Sequence, residues 1–326
     1  MRYPAPEKLE IIRLVEQSHL PVRKTLDMLG IPRPTFYRWY ELYRASGPEA
    51  LHDRSSKPSR VWNRIDDDTR KKIIELALEQ PTLSPRELAV TFTDTKNHFV
   101  SEASVYRLLK AHGLITSPAF IVVKAADEFK TKATAPNQLW QTDFTYLKVV
   151  GWGWMYLSTI LDDYSRYVIA WKLCTTMQAT DVTDTLDLAL KASGCASAKA
   201  QNKPCLLSDN GPCYVADDLA KWLGRRHIKH IRGAPCHPQT QGKIERWHQT
   251  LKNRILLENY YLPGDLESQI ATFVEHYNNR RYHESLGNVP PNDAYHGRTT
   301  KILQQRQKIK RQTIQARRLQ HKQIAA

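Results

Sequence analysis

Leu139-Trp140-Gln141-Thr142-Asp143-Phe144-Thr145-Tyr146-Leu147 is the stretch on which the fold turns. It is rich in aromatic and β-branched residues, and so reads as a strand. It also carries one carboxylate where its neighbours are apolar or aromatic. An ionised Asp143 buried there asks for a compensating cation, and a metal ion is one such cation. Two more β-rich runs follow, Trp154 to Leu161 and Tyr167 to Leu173. The turn chemistry of Asp162-Asp163-Tyr164-Ser165-Arg166 between them predicts an antiparallel hairpin beside the first strand, with Asp162 and Asp163 as turn formers.

Working outward, a helix is expected over Thr180 to Ala192, then a short strand Cys205 to Ser208 and a helix near Val215 to Arg225. A strand Ile228 to Ile231 and a long helix from about Gln241 to Leu257 complete the series. Three strands followed by alternating helices and strands indicate an α/β layered core with a mixed sheet and flanking helices. Asp209 follows the Cys205 strand directly, at the strand end where α/β sites are commonly built. Glu245 lies early on the long helix, at the edge of a buried stripe of Ile244, Leu251 and Ile255. His248, Gln249 and Lys252 follow it on the same face.

Toward the N-terminus the pattern is helical. Leu9, Ile12, Leu14 and Val15 fall near helical spacing over Glu7 to Gln17, and Pro21 opens a second helix ending near Gly30. A third helix starts at Thr35, a candidate cap, after Ile31-Pro32-Arg33-Pro34. This is a helix-turn-helix outline, with Phe36, Trp39 and Leu42 inward and Arg33, Tyr37, Arg38 and Arg44 offered to DNA. The outline repeats further on. Asp66 to Glu79 is helical, Ser84-Pro85-Arg86-Glu87 opens another helix with a capping box, and a third spans Ser101 to His112. Val105, Leu108 and Leu109 face inward there, leaving Tyr106, Arg107 and Lys110 for DNA. The expected domains are a helix-turn-helix module over 1–52, a basic linker over 53–63 and a second helix-turn-helix module over 64–118. A catalytic domain over 119–297 and a basic segment over 298–326 follow. That last segment has no acidic residue and reads as a DNA-contacting arm or a solvated helical tail.

Composition points the same way. The 326 residues suit two or three domains, and 48 Lys and Arg against 33 Asp and Glu give a net charge of +15, which favours a polyanionic partner. No run approaches the roughly 18 to 20 apolar residues of a membrane span, and no signal-peptide pattern opens the chain, so no membrane partner and a cytoplasmic, nucleoid-associated location are expected. The five Cys form no C-x-x-C pair and read as reduced thiols. His227, His230, Cys236 and His237 match no common zinc spacing. Trp152 and Trp154 read as hairpin packing. Lys243, Arg246, Lys252 and Arg254 stand beside Glu245, placed for phosphates.

Trp140-Gln141-Thr142-Asp143, Ser208-Asp209-Asn210-Gly211 and Gly242-Lys243-Ile244-Glu245, with 35 residues between Asp209 and Glu245, resemble the three motifs of DDE-type insertion-sequence transposases and retroviral integrases. Lys252 is similar to the basic residue seven positions after the family's Glu. The resemblance extends through Tyr277-Asn278-Asn279-Arg280-Arg281-Tyr282-His283 and Pro290-Pro291-Asn292-Asp293-Ala294, and covers about residues 136 to 297. It implies an RNase H-like core in which Asp143, Asp209 and Glu245 are catalytic and hold two Mg²⁺, with Mn²⁺ able to substitute. Asp143 and Asp209, on rigid strands, are the expected shared ligands, and Glu245 the outer one. The implied reaction is metal-dependent strand cleavage and transfer on double-stranded DNA, at element ends and target, by a homodimer or higher assembly. A transposase-derived regulator without catalysis and a nuclease that cuts without joining are the alternatives.

Overall fold

The computed structural model describes residues 3–52, 62–115, 133–197, 199, 203–233 and 242–325. The chain divides into two compact units, Met1–Trp62 and Asn63–Ala326. Nearly all of the expected linker 53–63 lies outside the described residues, as do 119–132 of the expected catalytic domain and the Cys236 and His237 of the zinc reading.

The first unit holds α1 (Ala5–Gln17), α2 (Val22–Leu29) and α3 (Arg33–Ser46). Gly30 ends α2 in the left-handed conformation, φ 66°, which a side chain would resist, and so makes the tight turn into α3. Pro34 sits in the first turn of α3, so that helix begins at Arg33, and Thr35 does not cap it. Ile12, Leu26, Phe36, Trp39 and Leu51 close the small core. Leu42 does not join it. At 37% exposure it points outward, and Tyr40 and Tyr43 pack in its place.

The second unit opens with α4 (Asp67–Glu79), α5 (Pro85–Lys96) and α6 (Glu102–Ala111). Asp66 caps α4, and Ser84 with Glu87 forms the expected capping box of α5. Ile73, Leu88, Phe92, Val105, Leu108 and Leu109 form the core of these three helices.

Five strands follow: β1 (Leu139–Val149), β2 (Gly153–Asp162), β3 (Val168–Cys174), β4 (Cys205–Ser208) and β5 (His230–Arg232), in the order β3-β2-β1-β4-β5. The first three are antiparallel, whereas β4 runs parallel to β1 and β5 parallel to β4. This mixed sheet is the expected RNase H-like arrangement. The turn after β2 is fixed as anticipated, because Asp162 accepts hydrogen bonds from Ser165 N and Oγ. One sheet face packs on α7 (Ala179–Ala192) through Trp140, Ile160, Val182 and Leu186. The other packs on α10 (Gly242–Ile255) and α11 (Pro263–Asn279) through Leu147, Leu157, Trp247, Leu251 and Ile270. Successive β1 side chains alternate between these faces, so parity decides which helix each one meets.

The expected helix Val215 to Arg225 is two helices, α8 (Pro212–Val215) and α9 (Asp217–Arg225), because Ala216 is extended at ψ 137°. Beyond α11 come α12 (Pro291–Tyr295) and α13 (Thr299–Ala325). The segment read as an arm or solvated tail is therefore a 27-residue helix, and it is not solvated all round. Ile309, Thr313 and Arg317 are buried, with the Thr313 hydroxyl accepting from Phe99 N and Arg317 donating to Asn63 and to the Phe99 carbonyl. Among the described residues, no helix is long and apolar enough to cross a membrane.

Candidate active site

Three elements of the second unit bring the carboxylates to the sheet. β4 pairs with β1 only as far as Leu207 opposite Gln141. Asp143 and Asp209 each lie two residues further along two parallel strands, so the register sets them at the same height. Asp143 faces the α10 side, with its side chain 22% exposed and Oδ1 accepting from Phe144 N at 2.8 Å. Asp209 Oδ1 accepts from Gly211 N at 2.9 Å, and a β-carbon on Gly211 would stand 3.1 Å from that oxygen. The glycine thus leaves the carboxylate its room.

Glu245 sits in the first turn of α10, held to the sheet by the buried Ile244, Trp247, Leu251 and Ile255. Partial burial, then the nearby Asp143 charge, push its carboxyl above the usual range, while His248 acts the other way. Asp143 thus lies within electrostatic reach of Glu245. Asp143 and Asp209 also bear together on two buried neighbours: burial first and then Asp209 raise the Cys213 thiol to about 11, and both carboxylates add to the upward shift that burial imposes on Tyr214. Cys213 and Tyr214 thus lie within electrostatic reach of both strand carboxylates.

Three carboxylates offer hard oxygen donors, and the Asp143–Glu245 repulsion is what a divalent cation would relieve, so the donor set fits Mg²⁺ or Mn²⁺ in kind. Among the described residues no three Asp, Glu, His or Cys side chains stand close enough to hold one ion.

Of the basic residues expected to meet phosphate, Lys243 does not stand free. Its ammonium lies 2.6 Å from the Asp163 carboxylate and 3.0 Å from the Asp163 carbonyl. Burial and the nearby Arg166 lower its pKa despite that partner. Arg246 is exposed, and Lys252 Nζ lies 4.2 Å from the centre of the Tyr146 ring. Arg33, Tyr37, Arg38 and Arg44 are exposed on α3 of the first unit. On α6, Arg107 and Lys110 are exposed and Tyr106 is half-buried. Trp152 and Trp154 are largely exposed rather than packed, although Trp154 meets Tyr146 edge to face.

Sequence reading missed three residues around the carboxylates. His248 was noted only as a donor on the Glu245 face, but its Nδ1 stands 3.4 Å from Asp143 Oδ2. Asp163 was read as a turn former, but it is almost wholly buried and binds Lys243 and Gln141. Gln141 carried one available signal: it is an amide at a core-facing parity of β1.

Residues 133–238 match the integrase core domain family, and 226–291 match a second family of the same description. Residues 7–59 match a helix-turn-helix domain, and 35–109 a homeodomain-like domain. The transposase for insertion sequence element IS629 of Shigella sonnei is 27% identical over 208 residues, 60% of this chain and 68% of that protein. Transposase InsF for insertion sequence IS3A of Escherichia coli is 27% identical over 184 residues, 56% of this chain and 60% of that protein. The HTLV-2 integrase catalytic core domain, solved in complex with magnesium in a trimeric form, is similar at 22% identity and TM-score 0.41, covering 50% of this chain and 99% of that one.

Proposed function

We propose, from the premise that this chain belongs to the insertion-sequence transposases with an integrase core domain, that it cuts the ends of a DNA element and joins them to target DNA. The observation that supports this reading is the β1–β4 parallel register, in which Asp143 and Asp209 each follow the paired Gln141 and Leu207 by two residues, with Glu245 in the first turn of α10, which packs on the Asp143 face of the sheet. Asp143, Asp209 and Glu245 would hold the divalent ions, with the two strand carboxylates as the shared ligands and Glu245 as the outer one. When bound, Mg²⁺ supplies charge neutralisation for in-line phosphoryl transfer to water or a 3′-hydroxyl. The chain's own residues do the rest. The two strands and α10 fix the carboxylates, and Arg246 and Lys252 on α10 hold phosphates beside them. The α3 residues Arg33, Tyr37, Arg38 and Arg44, with Tyr106, Arg107 and Lys110 on α6, bind the element ends in duplex DNA. Handling two ends requires a dimer or higher assembly, acting in the cytoplasm at the nucleoid.

Cleavage and joining of labelled element-end duplex in Mg²⁺, native chain against Glu245→Gln, tests this. Joined products from the native chain alone support the reading. Equal binding with no reaction from either protein would replace it with a DNA-binding regulator, and cut but unjoined products with a nuclease.

A further inference from the structure

The first turn of α10 is gripped from the sheet by two buried polar side chains. Gln141, 2% exposed, lies on β1 two residues before Asp143 and on the same face. Its Oε1 accepts from Ile244 N at 3.1 Å, and its Nε2 donates to Asp163 Oδ1 at 2.8 Å. Asp163 in turn receives the Lys243 ammonium at 2.6 Å. The backbone N–H groups of a first helical turn have no partner within the helix, and here a side chain from a strand distant in sequence supplies one. Two successive residues of α10 are thus held, Lys243 by Asp163 through its ammonium and Ile244 by Gln141 through its backbone N–H, and Glu245 is the next residue.

The Asp143 charge adds to the upward shift that burial imposes on the Glu245 carboxyl, so the two carboxylates lie within electrostatic reach across the junction of β1 and α10. An apolar side chain at 141 would fill the same space but leave the Ile244 N–H and an Asp163 oxygen without this partner, so the amide holds both to the strand. We propose that Gln141 and Asp163 are positioning residues, a hydrogen-bonded strut that sets the separation of the Asp143 and Glu245 carboxylates and so the grip of this pair on a divalent cation. The inference deepens the reading given under Proposed function and rests on it.

The strut predicts its own rescue. Gln141→Met removes both hydrogen bonds at nearly constant volume. Gln141→Glu alone sets two carboxylates against each other in a buried place. Combined with Asp163→Asn, the exchanged amide at 163 donates to the new carboxylate at 141, the Ile244 N–H keeps an acceptor, and Lys243 keeps an oxygen, with net charge unchanged.

The test uses the full-length chain on element-end duplex. Mn²⁺ affinity is read by electron paramagnetic resonance, alongside joining rate and melting temperature. Gln141→Met and Gln141→Glu are expected to weaken Mn²⁺ binding about 10- to 100-fold, the usual loss when support of a ligand is removed, and the exchanged pair to recover most of it. If Gln141→Met lowers only the melting temperature of a protein that still binds Mn²⁺ and joins ends as the native chain does, the strut merely supports the fold and the inference is overturned. Should Gln141→Met fail to fold, the exchanged pair decides: Mn²⁺ affinity near native supports the strut, and its loss in a folded protein overturns it. A native chain that neither binds Mn²⁺ nor joins ends is a different failure, that of the transposase reading, and the strut falls with it.

Discussion

His248 presents Nδ1 to Oδ2 of Asp143 at 3.4 Å, from one helical turn beyond Glu245. The ring is buried, and its Nε2 has no hydrogen-bond partner among the described residues. Its contact with the carboxylate is thus what orients it. That contact holds the Asp143 carboxylate against α10. His248→Ala should therefore leave DNA binding intact while raising the Mg²⁺ needed for half-maximal cleavage by about 10- to 100-fold. A metal titration of cleavage checks this, and an unchanged half-saturation point in a folded variant would show that the ring only fills space.

His283 gives the second unit an acid limit. Burial, then the charges of Arg281, Arg166, Arg86 and Arg246, depress its pKa from 6.5 to about 3. Between those values the unfolded chain binds a proton that the folded chain refuses, so the stability conferred by the neutral ring is complete above pH 6.5 and lost as pH falls toward 3. His98, His230 and His276 are lowered in the same direction by burial and nearby Arg or Lys charge, and act with it. Going from pH 7 to pH 5 should remove up to about 2 kcal/mol through His283. His283→Phe keeps an aromatic ring against Tyr277, 5.1 Å away edge to face in the native chain, and should flatten this slope in urea unfolding at the two pH values. Equal slopes would show that the ring does not titrate differently on folding.

What the sequence did disclose of the strand carboxylates is their setting, Asp143 inside a β-rich run and Asp209 directly after a short one. Their equal height was not legible, because it comes from the β1–β4 parallel pair, whose strands are distant in sequence. The strut was not legible: Gln141 and Asp163 gain their roles from contacts across 22 and 103 residues of chain, which no periodicity reports. α11 escaped because its buried side presents about one large residue per turn, Leu266, Ile270, Val274 and Tyr277, among polar neighbours. The contacts of α13 escaped for a related reason. Arg306 and Arg317 bury their stems and satisfy their heads in hydrogen bonds, so a count of apolar residues does not see the buried side.

That buried side of α13 can be measured. Arg306 Nε and Nη2 bind the Asp94 carboxylate at 2.8 and 2.7 Å, and Nη1 binds the carbonyls of Gly287 and Asn288 at 3.2 and 2.8 Å. One guanidinium thereby ties α13 to α5 and to the segment before α12. Arg306→Ala removes hydrogen bonds to a carboxylate and leaves two carbonyls to water, at a cost of about 1.5–3 kcal/mol. Arg306→Lys should recover little, since an ammonium cannot reproduce the planar fork. Hydrogen exchange of the α13 amides is the direct reading: faster exchange in both variants is expected, and native rates in Arg306→Ala would mean that Ile309 and Thr313 hold the helix without it.

On α3, Arg33, Tyr37 and Arg44 follow one another four and seven residues apart along the outer side, with Arg38 beside them and Phe36 and Trp39 turned inward. If this side enters a DNA groove, the four residues must divide between phosphate and base contacts, and the two kinds lose binding differently. An alanine in place of a phosphate contact should weaken element-end and random duplex alike and reduce the slope of log affinity against log salt by about 1. An alanine in place of a base contact should cost about 1–3 kcal/mol on the element end only, with the slope unchanged. Fluorescence anisotropy of each of the four variants across a salt series sorts them. Native affinity, slope and discrimination in all four would remove α3 from the DNA interface and leave that role to Arg107 and Lys110 on α6.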